Sequence, residues 1–184
     1  MDLSDLHYFF DCCLGHWSIE RTYHYLTHQQ VERSHTDFEV EAITDAQRRQ
    51  VLAANHYPPV DQLDQLPGFQ LRFHTVSETG EEVTQALRAV FIAKQQQGTL
   101  LVGDYLRDLA YEEARPIISS FSYNPHHREL LMTTPYTQVI AVDSITLINP
   151  NLRIRRILNY QRPAPGEPLD RLRLVGFGVE QKIA

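Results

Sequence analysis

Residues 37–42 read Asp-Phe-Glu-Val-Glu-Ala, acidic and apolar side chains in strict alternation. Successive side chains of an extended strand point to opposite faces, so Phe38, Val40 and Ala42 share one side and Asp37, Glu39 and Glu41 the other. That pattern marks a strand buried on one face and wetted on the other. Strand-like segments recur at near-regular spacing, at 17–25, 69–77, 87–94, 98–106, 115–123, 128–134, 138–147, 151–160 and 170–182. Turn chemistry separates them: Glu78-Thr79-Gly80, Gln97-Gly98, Asn124-Pro125, Asn149-Pro150 and the run from Pro163 to Pro168. Short strands with few helices leave a sandwich or an up-and-down barrel. No repeat, low-complexity tract or linker divides the chain, so a single domain over residues 1–184 is expected.

Two helices interrupt the pattern. Residues 4–14 put Leu6, Phe9, Phe10, Cys13 and Leu14 on one stripe, with Ser4 as the expected N-cap and Gly15 as the stop. The stripe is too wide for a free surface helix, so this segment must cover something. A second helix is predicted over 45–54, ending before Tyr57-Pro58-Pro59.

The net charge of −6 argues against nucleic acid or an anionic membrane as the main partner, so any anion site must be a local basic pocket. Cys12 and Cys13, the only cysteines, are adjacent and cannot staple a domain of this size. The start, Met1 to Asp5, lacks a basic and then apolar leader, and no apolar run reaches the ~20 residues of a membrane span. A reduced, cytoplasmic setting is the expectation. No histidine, cysteine and aspartate set has metal-ligand spacing, and no phosphate loop or nucleophile elbow is present.

The chemistry lies in charges that break strand faces. Trp17, Ile19, Arg21, Tyr23 and Tyr25 share a face on which Arg21 is the lone charge. A buried guanidinium needs an internal carboxylate, a wet cavity or an acidic ligand, unless it snorkels past the rim. Val139, Ala141, Asp143, Ile145 and Leu147 repeat the anomaly with opposite sign, which suits either an internal arginine partner or a cationic ligand. In Asn149-Pro150-Asn151-Leu152-Arg153-Ile154-Arg155, the two arginines form parallel forks suited to carboxylate or phosphate. Leu152 and Ile154 lie opposite, so simple patterning turns Arg153 and Arg155 to solvent, and Arg156 suggests a bulge that resets the facing. On the last strand Leu172, Leu174, Gly176, Gly178 and Glu180 share a side; the glycines mark close backbone approach, and Glu180 is a solvated strand end or an internal acid.

Phe9-Phe10, followed by Gly15-His16-Trp17-Ser18-Ile19-Glu20-Arg21-Thr22-Tyr23-His24, resembles the opening of the S-type phycobiliprotein lyases, the CpcS/CpeS family. The block from Asn149 to Arg155 is similar to that family's Asn-Pro-Asn-Leu-Arg-x-Arg motif, and Gly176 to Glu180 loosely resembles its C-terminal strand. The blocks keep their order over nearly the whole chain, while 45–130 matches only in outline. Where many relatives carry Glu-Arg before the Asn-Pro-Asn block, this chain has Asp143-Ser144, an acid one methylene shorter without its basic neighbour.

The resemblance implies a ten-stranded antiparallel up-and-down barrel of the lipocalin and fatty-acid-binding (calycin) type, plugged by the N-terminal helix. It implies binding of a free linear tetrapyrrole, such as phycocyanobilin, as substrate, with no tightly bound cofactor. The bilin is delivered to a cysteine of an apo-phycobiliprotein subunit, a β subunit or allophycocyanin, as a thioether at its A-ring ethylidene group. On this view Arg153 and Arg155 clamp the propionates, Arg21 adds an anchor, and Asp143 holds the pyrrole nitrogens. Trp17 and Tyr23 supply flat wall and Glu180 a polar contact. Charge reversal of both Arg153 and Arg155 is then expected to abolish transfer while the fold survives. Some family members work only as heteromers, so the resemblance leaves open a homodimer or a heterodimer with a related lyase subunit, beside the bilin and the apo-phycobiliprotein subunits. Two other readings stand beside it: a carrier of fatty acids or other hydrophobic acids, and a non-catalytic subunit of a heteromeric lyase.

Overall fold

Leu6, Phe9, Phe10, Cys12 and Cys13 form the buried side of helix α1 (Ser4–Cys13), as their spacing dictates. Ser4 is the first helical residue and Leu3 takes the N-cap position, one residue earlier than expected. Leu14 turns extended, Gly15 adopts φ +114°, and the chain enters β1 (Gly15–Tyr25) at once. The remaining strands are β2 (Gln30–Ala42), β3 (Gly68–Ser77), β4 (Glu82–Gln97), β5 (Leu100–Arg107), β6 (Ile117–Asn124), β7 (Glu129–Pro135), β8 (Val139–Asn149), β9 (Leu152–Gln161) and β10 (Leu172–Ile183). This computed structural model describes residues 3–110 and 113–183; the Met1-Asp2 part of the acidic start lies outside them, as do Tyr111, Glu112 and Ala184.

Each strand pairs antiparallel with its neighbour in sequence, and β1 closes the ring against β10. Of the two architectures compatible with the strand pattern, the barrel is the one formed. Closure removes both sheet edges, so every strand finds hydrogen-bond partners on either side. Two strands start well before their apolar pattern does: β2 at Gln30 and β4 at Glu82. Those polar lengths are held by neighbouring strands, which an apolar-periodicity reading does not register.

Helix α1 plugs one end. Phe9 and Phe10 pack into a core with Phe91, Tyr105, Tyr123 and Met132. Trp17 Nε1 and Lys182 Nζ donate to the carbonyls of Cys13 and Cys12 at 2.9 and 3.0 Å, satisfying two of the helix's C-terminal acceptors. Tyr123 Oη donates to the Asp5 carbonyl at 3.2 Å and ties the other end of the helix to β6.

Helix α2 (Asp45–Ala54) lies outside the barrel. Thr44 and Gln47 form a reciprocal capping box at its start. Val51 and Leu52 pack on Val90, Ile92 and Leu106. That explains the unbroken apolar run Ala89-Val90-Phe91-Ile92: one face of β4 meets the interior and the other meets α2. Tyr57, just beyond the helix, donates to Asp104 at 2.6 Å and pins the segment to β5.

Candidate functional site: a charged cavity inside the barrel

An interior cavity of about 340 Å³ runs from α1 toward the opposite end of the barrel, a volume in the range of small-molecule sites. A groove of about 390 Å³ lies on the outer wall beside Lys94 and Asp104, whose charges already pair at 2.5 Å. The buried charges that the strand faces single out converge on the interior cavity.

Four adjacent strands build that charged wall. Cross-strand pairing aligns Ile19 with Glu180 and Glu180 with Arg153, and on the next level Arg21 with Gly178 and Gly178 with Arg155. Ile145 of β8 faces Arg155, and Asp143 lies one level further along. Arg153 Nη2 meets Glu180 at 2.6 Å with both side chains buried. Arg155 lies 3.6 Å from Glu180 and 4.0 Å from Asp143. Burial pushes the Glu180 carboxyl up, but Arg153, Arg155 and Arg21 more than offset it and hold it below the ordinary carboxylate value. Burial works against the Arg155 cation, and Asp143 and Glu180 reverse that, so it stays firmly charged.

Arg153 also stacks on Trp17, its guanidinium carbon 3.9 Å from the ring centroid, and Trp17 lies 6.5 Å from the nearly parallel Phe38 ring. Gly178 is what lets this wall close. A Cβ there would meet Ile19 Cδ1 at 2.5 Å, and one at Gly176 would meet the Tyr23 ring at 2.8 Å. Side chains of β1 thus lean across β10 toward β9. Cys13 also lines the cavity, and burial raises its thiol, so it rests protonated.

The sequence profile of the CpeS-like protein family matches residues 5–183. The chain belongs to that family. It is 54% identical over 181 residues, 98% of each chain, to the protein named chromophore lyase CpcS/CpeS 1 from Synechococcus sp. (strain JA-3-3Ab). Chromophore lyase CpcS/CpeS of Thermosynechococcus vestitus is 24% identical over 155 residues, 84% of this chain and 82% of its own. Among solved structures, the S-type phycobiliprotein lyase CpeS from Guillardia theta superimposes with a TM-score of 0.77 at 14% identity, covering 97% of this chain and 93% of its own. That likeness is one of fold, and it agrees with the calycin-type barrel expected from the CpeS-like resemblance.

In this CpeS-like chain Arg21, Tyr23, Asp143, Arg153 and Arg155 all line the one cavity. Trp17 and Glu180 are fully buried and absent from the cavity lining; they back Arg153 from behind. Two expectations are corrected. Arg153 and Arg155 face inward although Leu152 and Ile154 are apolar, because Glu180 stands directly opposite Arg153 inside. Outside, Ile154 and Leu158 find apolar neighbours in Val179, Val142 and Val175. No bulge occurs at Arg156; the register of β9 breaks only opposite Leu147/Asn149 and Leu172/Leu174. Glu180, for which a solvated strand end stood open, is an internal acid with no exposure.

Sequence reasoning missed Arg107. It lines the same cavity at the end of β5, 6% exposed, after Leu101, Gly103 and Tyr105 on one strand face. The signal was the one that singled out Arg21, a lone charge on an inward apolar and aromatic face.

Proposed function

We propose that the protein is a phycobiliprotein chromophore lyase that binds a linear tetrapyrrole of the phycocyanobilin type and attaches it to a cysteine of an apo-phycobiliprotein, a β subunit or allophycocyanin. The observation that carries this reading is the convergence of Arg21, Arg153, Arg155 and Asp143 on one interior cavity, in a chain 54% identical to a named chromophore lyase. Arg155, backed by Arg153 and flanked by Arg21, meets a propionate through charge-assisted hydrogen bonds worth about 1.5–3 kcal/mol each. Asp143 accepts hydrogen bonds from the pyrrole nitrogens. Tyr23 lies along the conjugated rings as flat wall. Trp17 and Glu180 act as positioning residues that hold Arg153 in place.

The covalent step belongs to the acceptor. Its thiol adds across the exocyclic double bond of the A-ring: sulfur bonds to the ethylidene carbon and a proton goes to the adjacent ring carbon, with nothing lost. The barrel supplies orientation and shelter, and proximity lowers the barrier. Cys13, protonated and buried in the plug, stays out of this chemistry.

The test is an absorption titration with phycocyanobilin followed by addition of apo-phycocyanin β subunit. A red-shifted complex that yields acid-stable colour on the subunit is expected. Binding without transfer would move the reading to a carrier, or to a subunit that needs a lyase partner. The absence of any spectral change would overturn it in favour of a carrier of colourless hydrophobic acids.

A further inference from the structure

Arg153 and Arg155 already face Glu180 and Asp143. Arg107 has no carboxylate at ion-pair distance among the described residues; Asp143, which already meets Arg155 at 4.0 Å, supports its charge only from farther off. Arg107 Nη2 donates to Thr134 Oγ1 at 3.2 Å and to Tyr136 Oη at 3.1 Å. Its guanidinium sits 5.1 and 5.7 Å from the ring centroids of Tyr105 and Tyr136. Both hydrogen bonds use Nη2, and Nε has no hydrogen-bond partner. Neutral oxygens and aromatic faces orient a guanidinium, but a full charge this deeply buried calls for an opposite charge.

Position adds to this. Strand β5 is four strands from β9 around a ring of ten, so Arg107 stands on a wall facing the Arg153 and Arg155 wall across the cavity. We propose that Arg107 is a second, separate anchor for a ligand carboxylate, so that the cavity selects a ligand with two carboxylates held apart. The inference rests on the bilin reading for the ligand's identity, since the two propionates of a bilin are such a pair. One propionate meets Arg155 and Arg21, and the other meets Arg107. A fatty acid satisfies only one of the two anchors.

The experiment is an absorption titration of the full chain with phycocyanobilin, its two monomethyl esters and its dimethyl ester. Wild type is expected to bind the diacid at least about tenfold more tightly than either monoester. Arg107→Gln is expected to lose about the same factor for the diacid and for one monoester, and nothing for the monoester already blocked on the Arg107 side. Equal binding by Arg107→Gln and wild type overturns the proposal. So does an equal loss for every ligand including the dimethyl ester, which marks mere wall packing. If Arg107→Gln does not fold by circular dichroism, the wild-type esters decide: a monoester bound as tightly as the diacid leaves a single anchor and overturns the proposal. Wild type showing no spectral change with any of them overturns the bilin reading itself, a result distinct from a wild type that binds but ignores Arg107.

Discussion

Arg153 and Glu180 occupy directly paired positions of β9 and β10 and meet inside the barrel at 2.6 Å, with side-chain exposures of 3% and 0%. Removing one partner of such a pair strands a buried charge, which costs about 3–5 kcal/mol. Glu180→Ala is therefore expected to lose stability on that scale in urea unfolding, and it leaves both Arg153 and Arg155 short of a counter-charge. Arg153→Glu is expected to fare no better, since it sets two carboxylates face to face. The expectation that the fold survives reversal of both arginines does not suit this geometry.

Arg155 is the better probe of the site, being partly exposed to the cavity and not sealed behind Trp17. Arg155→Gln is expected to fold and to weaken bilin binding on the order of 10- to 100-fold, the loss of one charge-assisted contact. Absorption titration beside a thermal melt separates the two effects. A variant that melts like wild type and binds like wild type would remove Arg155 from the ligand site.

The depressed Glu180 carboxyl gives a pH dependence with a definite sign. Its folded value lies below the ordinary 4.5, so its contribution to stability is complete above the unfolded value. That contribution is lost as pH falls through the folded one. Wild type should lose stability with falling pH below about 4.5 more steeply than Glu180→Gln, as read by unfolding at a series of acid pH values.

His35 gives the opposite sign on the outer wall. Its ring gains support from Glu20 at 2.6 Å and Asp37 at 3.1 Å, and the Glu20 hydrogen bond leads in raising it above 6.5. The stability it contributes is present below the unfolded value and lost as pH rises through the folded one. Imidazole resonances in NMR should place the His35 midpoint above 6.5 in wild type and nearer to it in Glu20→Gln. An identical midpoint in both proteins would exclude Glu20 as the cause.

Gly178 bears on both fold and site. Gly178→Ala sets a Cβ 2.5 Å from Ile19 Cδ1 and 2.9 Å from the Glu20 carbonyl oxygen. Overpacking of this kind costs about 1–3 kcal/mol. Because Gly178 separates Arg21 from Arg155, the bound bilin's absorption band should also shift. A neutral substitution in both respects would show that β1 can move away from β10 freely.

The strand count, the plug helix, α2 and the inward faces of Arg21 and Asp143 were legible in the sequence, because alternation and turn chemistry are local properties that neighbouring residues report. The family motifs at both ends of the chain were legible for the same reason. Arg153 and Arg155 were different. Local patterning turns them outward, and only the pairing of β9 with β10 brings Glu180 opposite and turns them inward. The full burial of Glu180, the retreat of Trp17 behind Arg153 and the docking of Arg107 on Thr134 and Tyr136 also depend on strands distant in sequence. Which side chains share a face is determined by the sequence alone, since that follows from the geometry of one strand. Which face turns inward, and which charges then meet, depends on barrel closure and register, because the Arg153 guanidinium is tolerated inside where another strand brings the Glu180 carboxylate against it.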